Sequence, residues 1–432
     1  MTPCTPVPAP DGLQGAIFAL EGVLGAVTVL NGPTGCKYYH SSVSDGQLLD
    51  QAEFDPFNEL EQWYFGQPRV PCTYLDGRDY VVGSKAKLAD LLAHLAAQDD
   101  IGLISVVNSP GAALIGDDLK QLVDEVLPGR ACVVIDSPGF SCGIAAGHED
   151  AAIEVVRQVG AAEPGPSAGP SVNLVGFSVF QKYWLGDAAE LTRLLGLCGV
   201  AVNCAMFADC RLDDLRNLGA AQLTVVVRPE FGVRTAAEIE ARWGVPTLVV
   251  APPVGFAATE EFMIAVCSRL GCDPAPGLRE AERARGLAYT HISRVNSMTG
   301  LPKGVPYAVK GTWSEVGAWM GFLTRYFGMT PVAVEVTCPE VAGSRAPAER
   351  LLVDHCLAGA LDCPIIDSGA ELVFADAGVI AALRLAGRAF TGVEIALPTF
   401  GYLDVIAKAH LGLRGALMIT EQVLNGLLFG DH

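Results

Sequence analysis

The sequence predicts an α/β protein made of three doubly wound, Rossmann-like domains, each with a parallel sheet, arranged around a central cleft. One observation is length, since 432 residues are too many for a single hydrophobic core. The other is a repeated alternation of short β-rich runs with amphipathic helical patterns from about residue 101 onward. Such alternation requires right-handed crossover connections, and these make neighbouring strands parallel.

The first repeat begins with a strand over 101–107, which is apolar on both faces as buried parallel strands are. Asp117 and Asp118 open the next helix, 119–126, where carboxylates oppose the positive end of the helix dipole. The repeat is completed by a strand and a helix, 131–135 and 149–159.

A Pro- and Gly-rich linker over 164–170 interrupts the periodicity, and two further repeats follow it. The second repeat has strands at 172–177, 200–207, 223–228 and 247–250 and helices at 188–197, 212–218, 235–243 and 259–270. The third has strands at 307–310, 332–336, 372–375 and 393–397 and helices at 314–327, 347–359, 377–386 and 413–428. We therefore expect domains at 1–165, 171–298 and 303–432, the second ending in a long connecting helix over 278–298.

Composition excludes several classes of protein. The net charge is −19 and Lys and Arg are not clustered, which argues against a nucleic-acid or membrane partner. The thirteen cysteines are an odd number without the spacing of a disulfide framework, and the start of the sequence lacks a secretory signal. We therefore expect a cytoplasmic protein with thiols available for metal. No P-loop motif is present.

The most informative stretch is Asn31-Gly-Pro-Thr-Gly-Cys36, which follows an apolar segment over 15–30. Gly32 and Gly35 allow a positive φ, and Pro33 fixes φ near the value of a turn position. This predicts a rigid turn that presents the thiol of Cys36. The alternative interpretation is a tight connection ending in a small buried side chain, because free cysteine is often buried.

The turn is similar to the histidine-Gly-Pro-x-Gly-Cys turn of nitrogenase component 1 proteins and their relatives. Other stretches resemble the same family in the same order: 72–83, 114–119, 136–140, 397–400 and 411–416. The sequence thus resembles the nitrogenase component 1 type oxidoreductase family. It resembles a nitrogenase-like member and not a molybdenum nitrogenase proper, because the cysteine and histidine that hold the molybdenum cofactor cannot be placed in it.

The resemblance implies an iron–sulfur cluster between subunits. In the family three cysteines of a chain bind it, and Cys36 matches the second of them directly. The first falls on Cys4 if a loop is inserted after it, and on Asp11 otherwise. The third falls on Ser109, which is a departure, and Cys72 could supply the missing thiolate.

The metal ligands implied by the resemblance are therefore Cys36, Cys72 and Cys4, with Gly32, Pro33 and Gly35 shaping the cofactor-binding turn. Two cysteines per chain, doubled across a two-fold interface, would supply four thiolates for one [4Fe–4S] cluster. With Cys4 there are six candidates, enough for a larger cluster.

Catalytic side chains are not identified by the sequence, and two histidines are candidates. His40 follows the cysteine turn and could donate a proton or bind a cluster sulfide. His148 has a similar status. The alternative for His40 is a surface histidine on the helix after the turn.

The resemblance implies the catalytic component of a nitrogenase-like two-component reductase, hence an oxidoreductase acting on a small-molecule substrate. A separate ATP-dependent iron–sulfur reductase would deliver low-potential electrons, which agrees with the missing P-loop. The partner subunit would be the chain itself or a homologue, in a homodimer or an α2β2 assembly. The alternative is a non-catalytic scaffold for assembly of a metal cofactor, and a third, weaker option is a metal- or corrinoid-binding protein of similar build.

Overall fold

The computed structural model describes residues 10–37, 70–136, 142–161, 165, 167, 169–396 and 406–429. Three separate parallel sheets lie in these ranges, with helices in the connections between their strands. This confirms the predicted α/β fold class with parallel sheets. Within the same ranges, no helix combines the length and apolar character that a membrane span requires.

The first sheet has three strands in the order β1-β2-β3. The apolar segment over 15–30 supplies both a helix and the first strand, because residues 21–25 interrupt it. In chain order the elements are α1 (Gly12–Leu20), β1 (Ala26–Asn31), α2 (Asp79–Val82), α3 (Lys85–Ala96), β2 (Leu103–Asn108), α4 (Pro110–Ala113), α5 (Leu119–Val126), β3 (Cys132–Ile135) and α6 (Ile144–Val159).

The second sheet has the order β5-β4-β6-β7, so the chain reverses direction across the sheet after β5. That reversal is the mark of a doubly wound sheet. Its elements are β4 (Ser171–Val175), α7 (Trp184–Leu197), β5 (Ala201–Ala205), α8 (Leu212–Arg216), β6 (Leu223–Val226), α9 (Val233–Trp243), β7 (Thr247–Val249), α10 (Phe256–Leu270) and the long α11 (Ala275–Thr299).

The third sheet has the order β11-β10-β8-β9 and reverses in the same way. Its elements are β8 (Pro306–Gly311), α12 (Trp313–Phe327), β9 (Thr330–Val336), α13 (Arg345–Asp354), β10 (Leu372–Asp376), α14 (Ala377–Leu385), β11 (Thr391–Ala396) and α15 (Gly412–Phe429). Each sheet falls inside one of the predicted domain ranges, and the domain limits themselves stay a prediction.

The pairing of β1 with β2 determines where the turn to Cys36 lies. β1 and β2 are parallel and paired so that Asn31 lies beside Asn108, the last residue of each strand. All six residues of β2 are buried, as its two apolar faces predict. The carboxyl ends of β1 and β2, and the turns that follow them, therefore meet at one edge of the sheet.

Each edge strand of the first sheet is contacted by another part of the chain. Beside β1, Cys72 forms a parallel bridge with Leu30. Beside β3, the side chain of Gln158 bonds both backbone groups of Val134: Oε1 accepts from the amide nitrogen and Nε2 donates to the carbonyl oxygen, each at 3.0 Å.

Candidate metal centre

The turn to Cys36 leaves β1 at Asn31 and enters a single helical turn over 34–37, in which Lys37 donates to the carbonyl oxygen of Pro33. The Cys36 side chain is half-buried. Neither Gly32 nor Gly35 has a positive φ, so the expectation that these glycines serve a left-handed backbone is wrong.

Close packing explains Gly32 instead. A Cβ atom at Gly32 would lie 2.8 Å from both Cβ and Oγ of Ser109, which is closer than real atoms approach. The approach follows from strand pairing, because the Ser109 amide donates to the carbonyl oxygen of Asn31 at 2.9 Å. Gly35 has open space around it.

Cys72 lies on the other side of the turn. The amide of Leu30 donates to Pro71, and the amide of Thr73 donates to Leu30, so 71–73 run alongside β1. The Cys72 thiol is buried, donates to the carbonyl oxygen of Gly32 at 3.2 Å and accepts from the amide of Tyr74 at 3.4 Å.

The electrostatics of Cys72 place Cys36 beside it. Burial raises the pKa of the Cys72 thiol, while the Tyr74 amide and the Lys37 ammonium act to lower it. The Cys36 thiol raises the pKa of Cys72 further, because two thiolates would repel each other. The structure therefore brings Cys36 and Cys72 together around the Gly32 backbone.

A buried polar network holds this backbone in place. Thr73 Oγ1 donates to Asn31 Oδ1 at 2.9 Å and accepts from the Gly32 amide at 3.0 Å. The Asn31 amide group donates to Asn108 Oδ1 at 2.9 Å and to Ser84 Oγ at 3.1 Å. Because all of these groups are buried and paired, the turn between Asn31 and Cys36 is fixed at its base.

The two predicted capping aspartates have different roles. Asp118 caps α5, since its Oδ1 accepts from the amide of Gln121 at 2.9 Å. Asp117 instead binds Ser84, accepting from its amide at 2.6 Å and its hydroxyl at 2.9 Å. Through Ser84, Asp117 supports the network under the turn.

Ser109 has a structural role that accounts for the departure from the family pattern. It is fully buried, and its Oγ accepts from the amide of Ala112 at 3.3 Å, which caps the short helix α4. Its side chain lies against Gly32. Ser109 therefore serves as a packing and capping residue beside the two thiols.

An apolar surface is formed by five exposed side chains on the segments that follow Cys72 and Ser109: Tyr74, Tyr80, Val81, Val82 and Leu114. Val81 and Leu114 are 84% and 88% exposed, respectively. Burial raises the pKa of Tyr80, and Cys36 and Cys72 raise it further, so its phenol lies near both thiols. Its ring lies over Gly111, where an added Cβ would be 3.0 Å from the hydroxyl.

The remaining predicted ligands are placed as follows. Cys4 and His40 lie outside the described residues. Asp11 caps α1, because its Oδ1 accepts from the amide of Gln14 at 3.1 Å.

His148 is a core residue of α6, a helix that begins five residues before the predicted start at 149. Its side chain is fully buried, with Nε2 2.9 Å from the carbonyl oxygen of Phe177. The rings of Phe207 and Phe231 pack edge-on against it, each 5.3 Å between centroids. Burial lowers the pKa of His148 to about 4, and none of these contacts belongs to the Cys36 turn.

Sequence reasoning missed Thr73, Tyr80 and Asn108. Thr73 and Tyr80 carry no motif of their own. Asn108 gave a usable signal, since an asparagine ending each of two apolar strands indicates a polar pair at adjacent strand ends.

A second polar cluster lies beyond the carboxyl ends of β4 and β6 and includes Glu394 of β11. Asp187 is fully buried, accepts from Arg228 at 2.8 Å and accepts from the amides of His410 and Leu411 at 2.7 and 2.9 Å. Lys182 and Glu394 form a second buried ion pair at 3.3 Å. These contacts join the second sheet to the segment before α15.

The donor set at the turn fits a soft metal. Cys36 and Cys72 are soft thiol ligands, and a buried backbone holds them side by side. Across the described ranges, no group of three or more His, Cys, Asp or Glu side chains forms a complete metal site. At this turn, the described part of the chain therefore offers two thiols.

Comparison with known proteins gives several relatives. A light-independent protochlorophyllide reductase subunit of Chlorobium luteolum is 27% identical over 296 residues, covering 68% of this chain and 52% of that protein. Its counterpart in Halorhodospira halophila is 29% identical over 207 residues, covering 44% and 39%. The nitrogenase iron-molybdenum cofactor biosynthesis protein NifE of Methanococcus maripaludis is 28% identical over 247 residues, covering 55% and 46%. The chain thus spans about half or less of the length of these curated relatives.

Among solved structures, "Nitrogenase Cp1 at pH 6.5" superposes with a TM-score of 0.77 at 17% identity, covering 98% of this chain and 93% of that one. This supports the fold. A family model described as nitrogenase component 1 type oxidoreductase matches residues 12–428. Since the match covers nearly the whole chain, this protein belongs to the nitrogenase component 1 type oxidoreductase family.

Proposed function

We propose that this chain is the catalytic component of a nitrogenase-like two-component reductase. In this proposal it holds an iron–sulfur cluster at a subunit interface and receives electrons from a separate ATP-dependent iron–sulfur reductase. The observation that carries the proposal is the placement of Cys36 and Cys72 together on one buried, hydrogen-bonded turn. The relatives named as protochlorophyllide reductase subunits support a reductase.

Cys36 and Cys72 would hold the cluster, with Gly32, Pro33 and Gly35 shaping the turn. When bound, the cluster would supply storage and transfer of single electrons at low potential. The chain's own residues fix the two sulfur positions: Thr73 and Asn31 hold the Gly32 backbone, and that backbone accepts from the Cys72 thiol. Lys37 places a positive charge near Cys72, which favours its thiolate form.

The partner subunit would cover the apolar surface defined by Tyr74, Tyr80, Val81, Val82 and Leu114. Exposed apolar side chains grouped near a candidate ligand set are typical of an interface between chains. Two copies of this chain, or this chain and a homologue, would then supply four thiolates for one [4Fe–4S] cluster, and Cys4 would extend the set for a larger one. We place this assembly in the cytoplasm, with a small molecule as its substrate.

Anaerobic purification followed by iron and sulfide analysis and EPR spectroscopy tests the cluster. We expect a coloured protein with iron and acid-labile sulfide in equal amounts. Cys36→Ala and Cys72→Ala should each abolish or convert the EPR signal. An iron-free wild-type protein, or unchanged spectra in both variants, would contradict the proposal.

Cys132→Ala is the matched control. Cys132 is a half-buried cysteine of the same sheet, and burial raises the pKa of its thiol to about 11, as expected for a structural thiol. The variant should keep the iron content and the spectrum of the wild type. A loss of iron equal to that of Cys36→Ala would mean that the effect comes from general destabilisation.

A non-catalytic scaffold for metal-cofactor assembly is the second candidate, favoured by the similarity to NifE. A turnover assay distinguishes the catalytic component from the scaffold. With its cognate reductase and ATP, a catalytic component should reduce a substrate over many cycles. A scaffold would instead release a metal cluster to an acceptor protein and show no turnover.

A further inference from the structure

A cavity of about 510 Å³ lies at the carboxyl ends of β6 and β7, against helix α12 of the third sheet. Parallel α/β sheets place ligands at such strand ends, and this volume lies in the range of small-molecule sites. None of the described residues that line it belongs to the Cys36 turn. The cavity is therefore a separate feature from the candidate metal centre.

The cavity wall combines aromatic rings with small residues. Phe256, Phe322 and Tyr326 form one aromatic group, with centroids of Tyr326 5.1 Å from Phe256 and 5.2 Å from Phe322. On α12 the wall also includes Gly317 and Gly321. A Cβ at Gly321 would meet no atom within 4 Å, so the empty space reaches the helix backbone at this position.

One polar group of this wall lacks a partner. The hydroxyl oxygen of Tyr326 is buried and makes no hydrogen bond with any described residue. Buried hydroxyl groups are almost always paired, and an unpaired one costs free energy. Because this oxygen has almost no accessible area, an occupant would meet the ring of Tyr326 and not its hydroxyl.

Charged side chains also line the cavity. Arg325 is exposed, adjoins Tyr326 in the sequence and has no ion-pair partner among the described residues, while Arg285 is paired with Glu260. Glu261 is the single carboxylate among the described lining residues. A guanidinium that lines the cavity without an ion-pair partner suits an acidic group, since it can donate hydrogen bonds to it.

We propose that this cavity binds a small aromatic molecule that carries one acidic group, with the rings against Phe256, Phe322 and Tyr326 and the acid at Arg325. The proposal is independent of the cluster and of the reductase function. It concerns a second site, on the second and third sheets.

Fluorescence titration with 1-anilinonaphthalene-8-sulfonate, an aromatic sulfonate, tests the site on the full chain as purified anaerobically. We expect saturable binding with one site per chain. Gly321→Phe places a ring in the cavity and should weaken binding at least tenfold. Gly196→Phe is the matched control, because Gly196 is also a helical glycine with open space around it, and it should bind as the wild type does.

Charge variants test the acidic group. Arg325→Gln should weaken binding of the sulfonate several-fold, whereas Glu261→Gln should tighten it. Neither change should alter binding of the neutral dye Nile red, which Gly321→Phe should still block. Non-saturating binding by the wild type, or equal affinity in wild type and Gly321→Phe, would overturn the proposal. Equal affinities of wild type and Arg325→Gln for the sulfonate would overturn the assignment of an acidic ligand.

Discussion

The thiol of Cys72 donates a hydrogen bond to the carbonyl oxygen of Gly32, the residue that begins the turn to Cys36, with 3.2 Å between sulfur and oxygen. The two cysteines are 36 positions apart in the sequence, yet one backbone carbonyl connects their surroundings. Whatever fixes Gly32 therefore fixes the relative position of both thiols.

Thr73→Val should loosen this arrangement. The change keeps the side-chain shape but removes the hydroxyl that pairs with the Gly32 amide and with Asn31, leaving a buried amide without a partner. We expect a loss of roughly 1–3 kcal/mol in the free energy of unfolding. Urea denaturation measures it, and the iron content of anaerobically purified protein should fall as well. Thr73→Ser keeps the hydroxyl and should retain both properties, so equal losses in the two variants would contradict this role.

Gly32→Ala should be more damaging than its small size suggests. The new Cβ would lie 2.8 Å from Ser109, so strands β1 and β2 would have to separate at their carboxyl ends. Overpacking of this kind costs roughly 1–3 kcal/mol of stability. Adding Ser109→Gly removes the clashing atoms and should restore part of the loss, measured by thermal or urea unfolding.

Gly35→Ala is the control for that experiment, because an added Cβ meets nothing within 4 Å there and φ is not positive. We expect its stability to equal or slightly exceed that of the wild type. A loss as large as that of Gly32→Ala would show that the turn needs glycine for backbone freedom.

Asp187→Ala should strongly destabilise the contact between the second sheet and the segment before α15. It removes a fully buried carboxylate and leaves two backbone amides and Nη2 of Arg228 without their acceptor, while Nε of Arg228 keeps its ion pair with Glu315 at 3.3 Å. Breaking a buried ion pair in this way costs about 3–5 kcal/mol. Glu349→Ala breaks an exposed pair with Arg345 and should change stability by less than about 0.5 kcal/mol. Chemical denaturation of both variants compares them, and similar losses would contradict the buried role.

The protein should lose stability at acid pH, partly because His148 becomes protonated in the unfolded chain. Burial lowers its pKa to about 4, below the usual 6.5, so the unfolded chain takes up a proton before the native protein does. Its contribution to stability is complete above pH 6.5 and is lost as the pH falls toward 4. Glu149 has the opposite pH dependence. Burial raises its pKa to about 7, so its contribution to stability falls as the pH rises toward 7.

A variant isolates the histidine from these other groups. His148→Gln cannot titrate and can still donate to Phe177. Between pH 7 and pH 5 the variant should lose roughly 2 kcal/mol less stability than the wild type. Urea unfolding at both pH values measures the difference. Equal losses would mean that His148 does not titrate as its burial requires.

The fold class was predictable because the spacing of apolar residues along the sequence reflects which side chains are buried. β2 is apolar on both faces and is buried on both. Helix ends were less predictable: α6 begins at Ile144 because Ile-Ala-Ala-Gly packs against α1, where an added Cβ at Gly147 would meet Gly12, and this tertiary contact leaves no local signal.

The site was predictable only in part. Cys36 lies in a recognisable turn and the structure places Cys72 beside it, while the role of both as metal ligands stays a prediction. The reason for Gly32 was mistaken, since glycine is required by the approach of Ser109 from a neighbouring strand. Thr73 and Tyr80 act through contacts between segments distant in sequence, which no local pattern reveals.

The side chain of Gln158 has a consequence for assembly. By bonding both backbone groups of Val134 it occupies the edge hydrogen bonds that another strand would need beside β3. The bridge between Leu30 and Cys72 does the same beside β1. At Val134 and Leu30, therefore, the outward backbone groups of the two edge strands are already paired within the chain and cannot pair with a strand of another chain.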